Sequence, residues 1–137
     1  MDPKVSVIIP AYNGQKLLAQ NLPKVLAVGA DEVIIVDDAS IDGTADFITL
    51  NFPQIKLIRH IHNTRFPQTV NDGFKSASGN IVVLLNQDAS PHSDLLKNIL
   101  LHFKNPQIFS VTFNAQIQSW AKGSFKKGFL RLKKFGG

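Results

Sequence analysis

The sequence predicts an α/β fold with a doubly wound, mostly parallel sheet and helices on both of its faces. Residues 33–36 and 81–85 are the continuous apolar runs Val-Ile-Ile-Val and Ile-Val-Val-Leu-Leu, and such runs are typical of strands buried on both faces. Strand-like runs also alternate with helical segments along the chain, as in right-handed βαβ crossovers. In such a sheet the carboxyl ends of the strands form the crevice where ligands bind.

Local patterns place the elements in order. The first strand is closed by Pro10, and the helical pattern after it contains Pro23, which predicts a kink or a restart there. Gly29 ends that helix in a C-cap position, and Ser40 or Asp42 can cap the next one. The predicted strands are residues 5–9, 32–36, 55–61, 81–85 and 109–113.

Composition is that of a globular chain of 137 residues, close to the size of one domain. The chain has no cysteine, which excludes a disulfide framework, a thiolate metal site and a cysteine nucleophile. The N-terminal residues do not resemble a signal peptide, and no window approaches the ~18 apolar residues of a membrane span. We therefore expect a cytoplasmic protein.

Charge is distributed unevenly along the chain. Every Asp and Glu lies at or before Asp94, and the part after it carries only basic charges, so the basic character belongs to the tail. We expect residues 1–115 to form one α/β domain and residues 116–137 to form a basic tail. Phe125, Phe129 and Leu132 fall at helical spacing and predict a short amphipathic helix that can lie on an anionic membrane surface. We favour a second interpretation, in which residues 116–137 are the severed start of a further part of a longer protein.

Two acidic residues, Asp37 and Asp38, follow the second predicted strand. Asp38 would face the crevice as an acceptor-only group, which suits an N–H donor on a pyrimidine ring or ribose hydroxyls. Asp37 would bond loop amides or a nearby cation. The alternative is that this Asp-Asp-Ala-Ser turn only caps the following helix.

A second polar tip, Asn86-Gln87-Asp88, follows the fourth predicted strand. Mg²⁺ or Mn²⁺ takes carboxylate and phosphate oxygens and keeps several waters, so Asp88 together with a diphosphate is a plausible coordination set. The alternative is again a helix cap, since Ser90-Pro91 begins the next helical pattern.

Other loops contribute further candidates. Tyr12 and Asn13 offer an aromatic face and an amide after the first strand, and Arg65 could place a guanidinium near phosphate oxygens; a packed tyrosine and a solvated arginine are the alternatives. The four histidines show no metal-ligand spacing. Dinucleotide and P-loop glycine motifs and a Gly-x-Ser-x-Gly elbow are absent from the sequence.

Three blocks, taken together, resemble the family 2 glycosyltransferases. They are Val-Ser-Val-Ile-Ile-Pro-Ala-Tyr-Asn at 5–13, Val-Ile-Ile-Val-Asp-Asp-Ala-Ser-Ile-Asp-Gly-Thr at 33–44, and Leu-Leu-Asn-Gln-Asp at 84–88. The resemblance spans roughly residues 4–115. It includes 63–73, which is similar to the helix lining the sugar-nucleotide site in rhamnosyltransferase-like members.

The resemblance implies a GT-A-type fold whose N-terminal half binds a nucleotide-diphosphate sugar of the UDP or dTDP type. It implies base contacts by Tyr12 and Asp38, and metal binding by Asp88 at the end of the family's Asp-x-Asp motif. Asn86 stands where many members have the first Asp, which leaves a ribose contact. The nucleotide-sugar residues expected in full are Pro10, Tyr12, Asn13, Asp37, Asp38, Asn63, Arg65, Asn71 and Asn86.

The resemblance also implies an inverting transfer to an acceptor hydroxyl on a glycan or a lipid-linked acceptor, in glycan or cell-surface polysaccharide synthesis, with no nucleic-acid partner. Family members take their general base from a carboxylate in the C-terminal half, and none follows Asp94 here. We expect the base beyond Gly137, and poor or no transfer by this chain alone. The alternatives are a non-catalytic nucleotide-sugar-binding module or inactive fragment, and a response-regulator-like receiver, whose acidic pair would however follow the first strand.

Overall fold

The computed structural model of the chain describes residues 3–112 and the backbone of two strands, Lys122–Lys126 and Phe129–Lys133. The chain divides into two compact units, residues 1–101 and 102–137, and each is described by itself. The assignment of residues 1–115 to a nucleotide-sugar domain and of 116–137 to a tail stays a prediction.

The first unit contains a four-stranded parallel sheet in the order β3-β2-β1-β4. The chain adds β2 and β3 on one side of β1 and then returns to place β4 on the other side, which confirms the doubly wound parallel sheet. Its strands are β1 (Val5–Ala11), β2 (Glu32–Asp37), β3 (Lys56–Arg59) and β4 (Ile81–Leu84), and the helices are α1 (Gln15–Ala27), α2 (Thr44–Asn51), α3 (Arg65–Ser76) and α4 (Leu95–His102).

Helices cover both faces of the sheet. Alternate residues of β1, such as Val7 and Ile9, pack in one core with Leu22 of α1, Ile48 of α2 and Leu96 of α4. On the other face α3 comes close to β1 and β2, because its Gly73 has no side chain to hold it away from Ile8 and Val36. Residues of both parities along β2 are buried, as its continuous apolar run predicts. The same prediction is wrong for residues 81–85, because β4 lies at the edge of the described sheet and its Leu84 is exposed.

The helix does not restart at Pro23, because α1 runs without a break from Gln15 to Ala27; a kink there stays a prediction. A proline leaves the carbonyl four residues earlier without its helical N–H partner. Here both Pro23 and Ala19 lie on the exposed side of the helix, where water can satisfy that carbonyl.

Two predictions for the C-terminal part are also wrong. Residues 109–112 form no strand, and Phe109 is 97% exposed, so this segment lacks the burial that stabilises a strand; residue 113 lies outside the described residues. In place of an amphipathic helix, β5 (Lys122–Lys126) and β6 (Phe129–Lys133) form an antiparallel pair. Gly123 and Gly128 disfavour a helix, and Leu130 and Leu132 recur with the period of a strand.

None of the helices in the described part of the chain has the length and apolar character needed to cross a membrane.

Candidate functional site

A cleft of about 500 Å³ opens at the carboxyl edge of the sheet. It lies where β1 separates from β4: β1 pairs with β2 as far as Ala11, whereas its register with β4 ends at Ile8 and Leu84. Pro10 lacks the N–H that would continue the β1–β4 ladder. The walls come from the ends of three strands and the starts of α1 and α3. They consist of Pro10, Ala11, Tyr12, Leu17, Asp38, Asn63, Arg65, Phe66, Thr69, Asn86, Gln87 and Asp88.

The carboxylate of Asp38 is the most constrained group in the cleft. Its Oδ1 accepts hydrogen bonds from the Thr64 N–H at 2.7 Å and the Thr64 hydroxyl at 2.9 Å. His60 Nδ1 also lies 2.8 Å from Oδ1. The other oxygen, Oδ2, accepts the Arg65 N–H at 2.9 Å. The side chain is therefore locked in one orientation, with three neighbours around one oxygen and one around the other.

These contacts keep Asp38 ionised. Its burial alone would raise the pKa, but hydrogen bonds from Thr64, His60 and Arg65 outweigh burial and hold the pKa of Asp38 below its ordinary value. A buried negative charge thus faces the cleft with spare acceptor capacity mainly on Oδ2.

His60 was expected to have no metal role. In the structure it lies between two carboxylates, those of Asp38 and Asp72. Its Nε2 lies 3.2 Å from Asp72 Oδ2 of α3, while its Nδ1 faces Asp38. The imidazole therefore bridges the cleft carboxylate to the helix behind it. Sequence reasoning missed this contact, although His60 directly follows β3 and so ends at the same sheet edge as Asp38.

Asp37 does not line the cleft. It is fully buried, one of its oxygens accepts the Ser40 hydroxyl, and the other has no hydrogen-bond partner among the described residues. Arg59 Nε of β3 lies 3.7 Å from that second oxygen. The structure places Asp37 behind Asp38, where it ties β3 and the β2–α2 loop to the end of β2.

Asn13 and Asn71 also lie outside the cleft lining. Asn13, at a φ of 46°, accepts the Ile41 N–H with its side-chain oxygen at 2.9 Å and donates its own N–H to the Ser40 hydroxyl. It thereby joins the loops that follow β1 and β2. Asn71 is on an exposed face of α3.

Asn63 and Arg65 do line the cleft, at the start of α3. Asn63 accepts the Arg65 N–H at 3.2 Å, and its amide nitrogen lies 3.4 Å from the Asp38 carbonyl oxygen. Arg65 has a φ of 69°, uncommon for a residue with a side chain. Its backbone bond to Asp38 holds it in this conformation.

The β4 tip presents Asn86 and Asp88 to the cleft, and both are exposed. Within residues 3–112, no cluster of three His, Asp or Glu residues could hold a metal ion. The donors present fit a divalent cation held by one carboxylate, because Asp88 and the Asn86 amide offer hard oxygen ligands and a diphosphate could supply others.

Gln87, between these two residues, was not predicted as a site residue. Its side-chain amide pairs with the backbone of Tyr12, whose ring is 49% exposed at the cleft. The nearest sequence signal was its place inside the Asn-x-Asp motif. That signal does not show which way the side chain points.

Solved structures share this fold. The chain is similar to a mannosyltransferase from Pyrobaculum calidifontis solved in complex with GDP-Man and Mn²⁺, with 28% identity and a TM-score of 0.71, over 79% of this chain and 34% of that one. It is also similar to residues 1–349 of S. aureus TarS in complex with UDP, with 26% identity and a TM-score of 0.66, over 74% of this chain and 32% of that one. The fold is of the GT-A type.

Curated relatives are similar over the same region. A dolichol-phosphate mannosyltransferase of Pyrococcus furiosus is 27% identical over 96% of this chain and 42% of its own length. An undecaprenyl-phosphate 4-deoxy-4-formamido-L-arabinose transferase of Yersinia pestis is 32% identical over 62% of this chain and 29% of its own length. The chain therefore spans less than half the length of these relatives, and their names do not single out the rhamnosyltransferase-like members.

Residues 6–135, nearly the whole chain, match the family described as Glycosyl transferase family 2, and the chain belongs to that family.

Proposed function

We propose that this chain is the donor-binding part of an inverting glycosyltransferase, which transfers a sugar from a nucleotide-diphosphate sugar to an acceptor hydroxyl on a glycan or a lipid-linked molecule. One observation carries the proposal: Tyr12, Asp38 and Asp88, from the ends of three strands, line a single cleft. This cleft lies at the topological switch point, where open α/β sheets bind ligands. We place the reaction in the cytoplasm, at the inner membrane face when the acceptor is lipid-linked.

The nucleobase belongs at the Tyr12 and Asp38 end of the cleft. The half-exposed Tyr12 ring offers a face for stacking. The ionised Asp38 carboxylate can only accept hydrogen bonds, so it selects a ring N–H. Asn63, whose amide is beside the Asp38 backbone, would help to shape this end.

The diphosphate belongs at the opposite end, near Asp88. Asp88 would hold Mg²⁺ or Mn²⁺, with Asn86 contacting the ribose or completing the ligand set. When bound, the cation neutralises charge that develops on the departing diphosphate. Arg65 lines the same cleft and offers a guanidinium that can orient phosphate oxygens.

The Asp38 contacts predict which base is preferred. Oδ1 is already occupied by three neighbours, so one oxygen, Oδ2, remains to accept from a base. Uracil and thymine present a single N–H flanked by carbonyls, whereas guanine presents two donors side by side that suit both oxygens of a carboxylate. We expect UDP or dTDP to bind about tenfold more tightly than GDP, since an unpaired polar group costs about 1–3 kcal/mol.

Titration calorimetry with UDP, dTDP and GDP, each with Mn²⁺, measures this preference. Tighter binding of GDP, the nucleotide of the Pyrobaculum complex, would contradict the base assignment. Failure of all three nucleotides to bind would contradict the donor-binding function itself.

Turnover separates an active transferase from a non-catalytic module. No carboxylate follows Asp94 in this sequence, so the proposed general base would come from elsewhere. We expect the isolated chain to bind UDP but to transfer sugar to candidate acceptors no faster than a buffer control. Release of nucleotide from a panel of sugar nucleotides measures this, and rapid transfer would show that the chain contains its own base.

A further inference from the structure

A single side chain, Gln87, joins the tip of β4 to the end of β1. The Tyr12 N–H donates to Gln87 Oε1 at 3.0 Å, and Gln87 Nε2 donates to the Tyr12 carbonyl oxygen at 3.3 Å. The amide thus pairs with the Tyr12 backbone through one acceptor and one donor, as a neighbouring strand would. It does so beyond Pro10, where the ladder between the two strands has ended.

The surroundings of Gln87 hold it in this position. A Cβ on Gly14 would lie 2.2 Å from Gln87 Oε1 and 2.8 Å from its Cδ, so the amide fits only because residue 14 is a glycine. The Gln87 backbone carbonyl lies 3.4 Å from the amide nitrogen of Asn21, a buried residue of α1. The side chain and the backbone carbonyl of Gln87 are therefore both held by hydrogen bonds.

We infer that Gln87 is a positioning residue that couples the base-binding side of the cleft to the cation-binding side. The Gln87 amide is hydrogen-bonded to the Tyr12 backbone, so it influences the base-binding side through Tyr12. It influences the cation-binding side through Asp88, the next residue in the chain. The inference rests on the proposed function. A ligand that orders either loop also orders the other through this pair of bonds, so nucleotide and cation favour each other's binding, and the effect is reciprocal.

Calorimetry measures this coupling as the ratio of the Kd for UDP without Mn²⁺ to the Kd with Mn²⁺. Gln87→Met removes both hydrogen bonds while keeping a side chain of similar length. Gly14→Ala does not change residue 87, but the added Cβ would displace the Gln87 side-chain amide from the Tyr12 backbone. We expect each variant to lower the ratio by about fivefold or more, the lower end of typical coupling between sites.

Gln54→Met is the matched control, because Gln54 is exposed just before β3, at the opposite edge of the sheet. It should leave the ratio unchanged. A second readout needs no ligand: hydrogen exchange of the Tyr12 amide should be faster in Gln87→Met and Gly14→Ala than in the native chain and in Gln54→Met.

The outcomes separate the two proposals. If the native chain binds UDP but both variants keep its ratio, the coupling role of Gln87 is overturned while the donor-binding function stands. If the native chain binds none of UDP, dTDP and GDP, with or without Mn²⁺, both proposals fail. Unchanged Tyr12 exchange in both variants would overturn the structural basis of the inference.

Discussion

Replacing Asp38 with Asn should weaken the binding of UDP in the presence of Mn²⁺ by about a hundredfold. In the proposed complex the native carboxylate would offer a charged acceptor to the base, and a charge-assisted hydrogen bond contributes about 1.5–3 kcal/mol. An asparagine amide must also turn its NH₂ group toward the donors from Thr64 or toward the Arg65 N–H, where only acceptors fit. Calorimetric titration of both proteins measures the difference.

Asp46→Asn is the matched control, because Asp46 is exposed in the first turn of α2, outside the cleft. If the native chain and Asp38→Asn bound UDP with equal affinity, Asp38 would not be part of the nucleotide site. A loss of similar size in Asp46→Asn would show that the effect is a general one of charge.

The same substitution has a pH dependence with a definite sign. The folded-state pKa of Asp38 lies below its ordinary value, so its stabilising contribution is present above the unfolded pKa and is lost as the pH falls through the folded pKa. Urea unfolding should therefore show Asp38→Asn to be less stable than the native chain at neutral pH. The gap should narrow in acid below about pH 4.

Replacing Gly73 with Val should lower the free energy of unfolding by about 3 kcal/mol. Even a Cβ at this position would lie 2.5 Å from Ile8 Cγ2 and 3.3 Å from Val36 Cγ2. Both neighbours belong to fully buried side chains of the central strands, so α3 must move outward. The gain in helix propensity over glycine, less than about 1 kcal/mol, does not offset this overpacking.

Displacement of α3 should also weaken UDP binding, because Thr64 and Arg65 at its start hold Asp38. Gly73→Ala should give a smaller effect of the same sign, which keeps the test informative if the valine variant does not fold. Ser76→Val, later in the same helix, is the control. Urea denaturation of all three variants measures the order of their free energies of unfolding. A Gly73→Val protein as stable as the native chain would contradict the close packing of α3 against the sheet.

The parallel sheet and the convergence of the acidic residues at one edge could be predicted because they depend on local pattern and on one general rule. Apolar runs mark buried strands, and parallel strands connected by helices bring their carboxyl ends to one edge. Asp38 and Asp88 were expected at the same crevice on this ground, and both line it. Six of the nine expected nucleotide-sugar residues line the cleft, and Asn13, Asp37 and Asn71 do not. The sequence could not separate the two groups, because no local pattern shows which side chain at a strand end faces the cleft.

Side-chain partners distant in the chain account for what sequence reasoning missed. Gln87 binds Tyr12, which is 75 positions away, and Asn13 is turned toward Ile41 rather than toward the cleft. Asp37 and Asp38 are adjacent and chemically identical, yet one is sealed behind the sheet edge and the other faces the cleft. The opposite directions of successive side chains in a strand explain that difference once the sheet is assembled.

The sequence by itself determined the four strands of the parallel sheet and the polar residues that follow them, because these depend on hydrophobic pattern and backbone preference within a few residues. Only the tertiary structure decided which hydrogen-bond partners those polar groups have. Hydrogen bonds from Thr64, Arg65 and His60 leave mainly one oxygen of Asp38 available, and the Gln87 amide is bound to Tyr12. Each such choice depends on groups from separate elements meeting at hydrogen-bonding distance, which is a property of the packed fold and not of any one segment.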